Sequence, residues 1–147
     1  MAATVTNSLE FLKEMLTKEH DLENDTLQCA LMGSGFSADE ASHSEWSDVS
    51  GSEIAGGSGY TAGGQTLTNV AVSINSTDGR VEVDADNPSW TASGGAIPTV
   101  GGAVIYNSSH ASNTIFCELV FSADYDTPDG KVLQIDVSNG VRYFDNA

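Results

Sequence analysis

Basic residues are scarce in this chain. Five lysines and arginines stand against 21 aspartates and glutamates, for a formal charge of −16. A surface of that sign repels a phosphate backbone, and no run of lysine or arginine supplies a local patch to reverse it, which argues against nucleic-acid binding. Cysteine is equally sparse. Cys29 and Cys117 each sit in an alternating apolar run, the setting of two buried thiols rather than a disulfide, as suits a reducing cytoplasm. Long hydrophobic runs are also missing. The opening "MAATVTNSLEFLKEML" has neither a basic leader nor a continuous apolar stretch, so no signal peptide and no membrane span are expected. What is left, at 147 residues, is enough for one domain whose core needs no staple. Its acidic exterior favours solubility and suits a partner with a positive surface.

Helical signal is confined to one place. Leu9, Leu12 and Leu16, flanked by Phe11 and Met15, form an apolar stripe at helical spacing that predicts a helix over Asn7 to Lys18. Asn7 followed by Glu10 resembles a capping box, and Glu14 with Lys18 makes a favourable i,i+4 pair. Residues 1–20 are therefore expected to form an N-terminal helical arm, docked either on its own domain or on another subunit.

Residues 21–147 have the texture of strands. Leu27, Cys29 and Leu31 alternate with Gln28 and Ala30, the period of a half-buried strand. A polar, glycine-rich passage from Gly33 to Gly64 follows, interrupted by Trp46, Val49 and Ile54; its length marks it as a functional or interface loop. In "QTLTNVAVSIN", Val70, Val72 and Ile74 share a face, and after an Asp78-Gly79 turn so do Val81 and Val83, which predicts a hairpin. "SWTA" is a further strand. "GGAVIYN" is apolar on both faces and expected to be central, and "NTIFCELVFS" sets Ile115, Cys117, Leu119 and Phe121 on one side. "KVLQIDV" and "GVRYFD" are joined by a turn at Asn139-Gly140. About eight short strands with one N-terminal helix predict an all-β fold, an antiparallel β-sandwich or jelly roll.

One octapeptide carries a chemical question. "GYTAGGQT", Gly59 to Thr66, matches the phosphate-loop spacing G-x-x-x-x-G-K-S/T except that Gln65 replaces the lysine. A phosphate loop works between a strand and a helix, whose N-terminus faces the anion. Here "TLTNVAVSIN" follows, β-patterned and rich in threonine and valine, so no helix is there to hold phosphate. Gly63 and Gly64 instead suit a left-handed approach into a strand, with Tyr60 as a plug at the sheet's end.

Three segments together resemble a group of small bacteriophage structural proteins. These are the run "LENDTLQCALM", the stretch "SDVSGSEIAGGSGYTAGGQTL" and the stretch "VEVDADNPSWTASGGAIPTVGGAVIY". The group has a "DTLKVAL"-like first strand, an "EI.GTGYTAGG.TL" segment, "ADD..W", "A..AVIY" and a final hairpin. The likeness spans about residues 21 to 144 and is most specific at Gly59–Leu67, Asp84–Trp90 and Ala103–Tyr106. The helix over Asn7 to Lys18 departs from it, since the group's chains begin with a shorter segment. The resemblance implies a head decoration (cement) or other accessory virion role, and it brings no active-site residues with it.

The residues themselves offer little chemistry. His20, His43 and His110 lack i,i+4 or H-x-H spacing, so no zinc site is expected. No G-x-S-x-G elbow marks an activated serine, and the alternation around Cys117 places it in the core. Asp124, Asp126 and Asp129, taken as a loop ending at Gly130, offer oxygens for calcium but not the spacing of an EF-hand; Asp84 to Asn87 is weaker. The expectation is a non-enzymatic virion protein without catalytic residues, metal or other cofactor, made in the host bacterial cytoplasm. It would bind the major capsid protein and copies of itself, as a homotrimer or similar, through the Gly33–Gly64 loop and the helical arm. The alternative is a tail- or fibre-associated module for host carbohydrate, with Trp46 and Tyr125 as stacking platforms; a small hydrolase comes third.

Overall fold

A computed structural model describes residues 3–137 in full and 141–145 by backbone alone. The described residues are mostly β, with antiparallel sheets of five, three and two strands, two short α-helices and no closed barrel among them. In chain order the elements are β1 (Ala3–Asn7), α1 (Leu9–Leu16), β2 (Leu27–Gly33), α2 (Trp46–Val49), a 3-10 turn (Ser50–Ser52), β3 (Gln65–Thr66), β4 (Ala71–Asn75) and β5 (Arg80–Asp84). They continue with β6 (Ser89–Thr91), β7 (Ile97–Asn107), β8 (Ile115–Thr127), β9 (Val132–Gln134) and β10 (Val141–Asp145).

The five-stranded sheet has the order β1-β8-β7-β2-β3. β7 lies at its centre and is buried along almost its whole length, which is why its sequence is apolar at consecutive positions. One face carries Cys29, Leu31, Ile105, Cys117 and Leu119, packed with Phe11 of α1, Trp90 and Leu133. The other carries Ala30, Met32, Val104, Tyr106 and Ile115, packed with Phe36 and Val49 of the long loop. Cys29 and Cys117 are both free and buried. Each registers with Ile105 from opposite sides, so two strand spacings, roughly 10 Å, keep the sulfurs from bonding.

Several local expectations change in the folded chain. The helix is shorter at both ends, Leu9–Leu16: the residues before it form β1, paired with β8 from Ala3↔Phe121 to Asn7↔Cys117, and after the Thr17 cap Lys18 takes a left-handed conformation, φ 66°. The segment read as an arm is thus tied into the central sheet, and Phe11 is fully buried in its core. The run from Gln65 to Asn75 is not one strand. Asn69 takes a left-handed conformation, φ 54°, and its side chain, with that of Thr68, bonds to Asp86, so the chain turns from β3 to β4.

A register shift between Ile105 and Tyr106 makes Phe116 the extra residue of a bulge. Because a one-residue step flips the pleat, Ile115 falls on the face opposite Cys117, Leu119 and Phe121. β9 and β10 are not partners: β9 pairs with β6, and β10 with β5. The turn expected at Asn139-Gly140 lies outside the described residues.

Candidate functional site

The glycine octapeptide does hold an oxyanion, but it is the chain's own. Glu53 Oε1 accepts from the Tyr60 hydroxyl at 2.6 Å and from the Gly63 amide at 2.6 Å. The Tyr60 oxygen also accepts from the Leu31 amide of β2 at 3.0 Å. The ring itself is buried beside Trp90. Burial and the Glu53 carboxylate both push the Tyr60 hydroxyl well above its ordinary pKa, which keeps it a donor. Tyr106 caps the same loop by donating to the Gly63 carbonyl at 2.8 Å.

Gly64 is at φ +86°, and a Cβ there would lie 2.1 Å from the Cys29 carbonyl. No side chain fits, because β3 must enter the sheet against β2 at that point. With Gln65 and Thr66 paired as strand, the stretch has no helix to face a phosphate.

Each histidine meets a carboxylate. His43 Nδ1 lies 2.5 Å from Glu118 Oε1, and the Asp39 amide donates to Glu118 Oε2 at 3.0 Å. Glu118 is 1% exposed. Burial raises its pKa, against the opposing pull of His43. The carboxylate therefore clasps the long loop to β8. Nothing in the alternation announced it, since a glutamate at that position of a strand reads as solvent-facing.

His20 and His110 come together with Glu14, each offering one donor atom, and the three donor atoms lie within 4.8 Å of one another. His20 Nε2 is 2.8 Å from Glu14 Oε2, and the His20 ring stacks on Phe11 at 4.1 Å. Burial pulls the Glu14 carboxyl upward, but hydrogen bonds from Thr114 and His20, with His110 nearby, hold it below its usual range.

The three aspartates considered for calcium diverge. Asp124 and Asp126 belong to β8, which runs on to Thr127, so the expected loop is largely strand. Asp124 accepts from Ser34, Asp126 from Thr99, and Asp129 from the Gly95 amide. Three separate partners on separate segments do not make a cation site.

Among the described residues, the most exposed apolar feature is the β4–β5 hairpin. Val72 registers with Val83 and Ile74 with Val81, one continuous apolar face. It runs from Val83, 4% exposed, to Ile74, 81% exposed. Where it meets the end of α1 it bounds a cleft of about 590 Å³ lined by Met15, Lys18, Leu22, Val72 and Val81 among others. Leu16 on α1 is likewise bare at 79%. β4 is an edge strand, and the Glu23 carboxylate accepts its Val72 amide at 3.2 Å. Among the described residues, no helix is long and apolar enough to cross a membrane. Compared with known proteins, the chain matches no family model, no curated protein and no solved structure.

Proposed function

We propose that the chain is a non-enzymatic structural protein of a bacteriophage virion, a capsid decoration protein that binds the major capsid protein and stabilises the head. In this reading the smaller sheets face the five-stranded one as a sandwich of the jelly-roll type, and copies associate as a trimer or similar closed ring. The observation that carries it is the apolar face of the β4–β5 hairpin, which leaves Ile74 at 81% exposure on an otherwise acidic chain. Isolated surface apolar residues need no explanation, whereas a contiguous apolar face on an edge strand fits a partner. The resemblance of Gly59–Leu67, Asp84–Trp90 and Ala103–Tyr106 to phage structural proteins supports the same reading. Binding that is confined to the assembled shell stabilises the shell by mass action.

The carbohydrate alternative draws less support. Trp46 stacks on Tyr106 at 4.6 Å and Tyr125 meets Phe121 edge-on at 5.9 Å, so both proposed platforms are engaged within the domain.

The test is to heat purified capsids with and without the protein, and with its Ile74→Asp variant. The expected result is a higher disruption temperature with the wild type and none of that gain with the variant. Equal shell stability in all three samples, with no co-sedimentation, overturns the proposal. Binding to a glycan array that is lost in Trp46→Ala would favour the alternative.

A further inference from the structure

We propose that Glu14, His20 and His110 form a binding site for a divalent transition-metal ion, zinc being the occupant that the ligand types favour. Two imidazoles and one carboxylate make a borderline-soft set that suits zinc and discriminates against magnesium and calcium, which take oxygen ligands alone. The three donor atoms already lie within 4.8 Å of one another, so a small contraction would close them on one ion. Glu19 Oε2, 3.5 Å from His110 Nε2, is placed to serve as a fourth ligand.

The surroundings resemble a built site more than a chance meeting of surface groups. Glu14 and His20 are each 8% exposed, and Phe11 packs flat against the His20 ring. His110 is oriented by Thr114 Oγ1, 2.9 Å from Nδ1, which leaves Nε2, on the side of Glu19, as the nitrogen for the ion. Such outer partners fix the orientation of ligating rings. The site also joins three stretches of chain: α1, the segment after it, and the β7–β8 connection. An ion there would staple the N-terminal segment to the central sheet.

His20 sets the affinity. The Asn107 amide faces its Nδ1 at 2.9 Å and also donates to Asp25 Oδ2 at 2.6 Å. This network assigns the ring proton to Nε2, where it is shared with Glu14. Coordination through Nε2 moves that proton to Nδ1 and requires the Asn107 amide to turn its oxygen to the ring. Asn107 then gives up its contacts with Asp25 and with the Ser109 amide, 2.9 Å from Oδ1. Loading therefore reorganises a hydrogen-bond chain, and the affinity falls below that of a preformed site.

The experiment is calorimetric titration of the chelator-treated, tag-free full chain with zinc chloride, with cobalt chloride as a spectroscopic probe and thermal unfolding as a second readout. The expected result is one ion per chain, a visible-range cobalt spectrum of low coordination number, and a midpoint raised by several degrees in excess zinc. All three should be lost in His110→Ala, whose ring is only partly buried, and retained in His43→Gln, which leaves the trio intact. Multiple weak sites displaced by magnesium would be ordinary carboxylate binding and would overturn the proposal. So would unchanged binding in His110→Ala.

Discussion

The β4–β5 hairpin and the Gly33–Gly64 segment exchange the roles that their sequences suggest. The hairpin alternates valine and isoleucine as a core strand would, yet its tip stands in solvent with Ile74 81% exposed. The loop is rich in glycine, serine and acidic residues, yet Phe36, Val49, Ile54 and Tyr60 from it are buried. Through Phe36 and Val49 it closes the second face of the central sheet. The difference teaches that burial here follows anchoring rather than average hydrophobicity. The loop is held by Glu118, Glu53 and Gly64, whereas of the hairpin's strand residues only Val83 packs in the core, the rest being tied by the pairing of β5 with β10 and by the Glu23 bond to the Val72 amide.

That contrast can be broken most sharply at Gly64. Alanine there meets both the positive φ and the 2.1 Å approach to the Cys29 carbonyl. Gly64→Ala should lose about 3 kcal/mol or more of stability, read from urea unfolding. Glu118→Ala removes the acceptor for both His43 and the Asp39 amide and leaves a cavity; a loss of about 2–4 kcal/mol is expected in the same measurement. Hydrogen exchange should then quicken along 36–49 before the hairpin responds. Tyr60→Phe keeps the ring but takes the hydroxyl from the Leu31 amide and Glu53, at about 1–3 kcal/mol. Ile74→Asp should change stability by no more than about 0.5 kcal/mol. A larger loss would mean that the hairpin tip belongs to the core after all.

Acidity sharpens the comparison from the side of the two buried glutamates. Glu14 is held below its ordinary value of 4.5 in the folded chain, so its contribution to stability is present above 4.5 and is lost as pH falls through the folded value. Glu118 is raised above 4.5. Its contribution is present below 4.5 and is lost as pH rises through the folded value. Urea midpoints measured across that range should therefore show the advantage of the wild type over Glu118→Gln shrinking as pH rises, and its advantage over Glu14→Gln growing.

Much of the strand content was legible. β2, β8 and the β4–β5 hairpin follow from alternation and from the Asp78-Gly79 turn, and β7 from a run apolar on both faces, because those signals are local. β1 was hidden behind the stronger helical stripe that follows it, although Thr4, Val5 and Thr6 are β-branched. The partners of β9 and β10 were not legible, since pairing across long sequence separations leaves no local mark. Alternation places Ile115 on the wrong face because it carries no sign of the bulge at Phe116. The trio of Glu14, His20 and His110 escaped for a related reason: spacing rules detect ligands on one element, and these come from three. Glu118 was the reverse case, a charged residue in an apolar strand whose burial depends on a histidine far away in sequence.

The Glu53 carboxylate has one further consequence. A nest of amide and phenol donors that already houses an internal guest is closed to external ones, whatever its glycine spacing suggests. Cutting that side chain back in Glu53→Ala would leave a vacancy lined by the Tyr60 hydroxyl and the Gly63 amide, shaped for formate or acetate. Millimolar acetate should then restore part of the lost thermal stability, where an equal concentration of chloride should not.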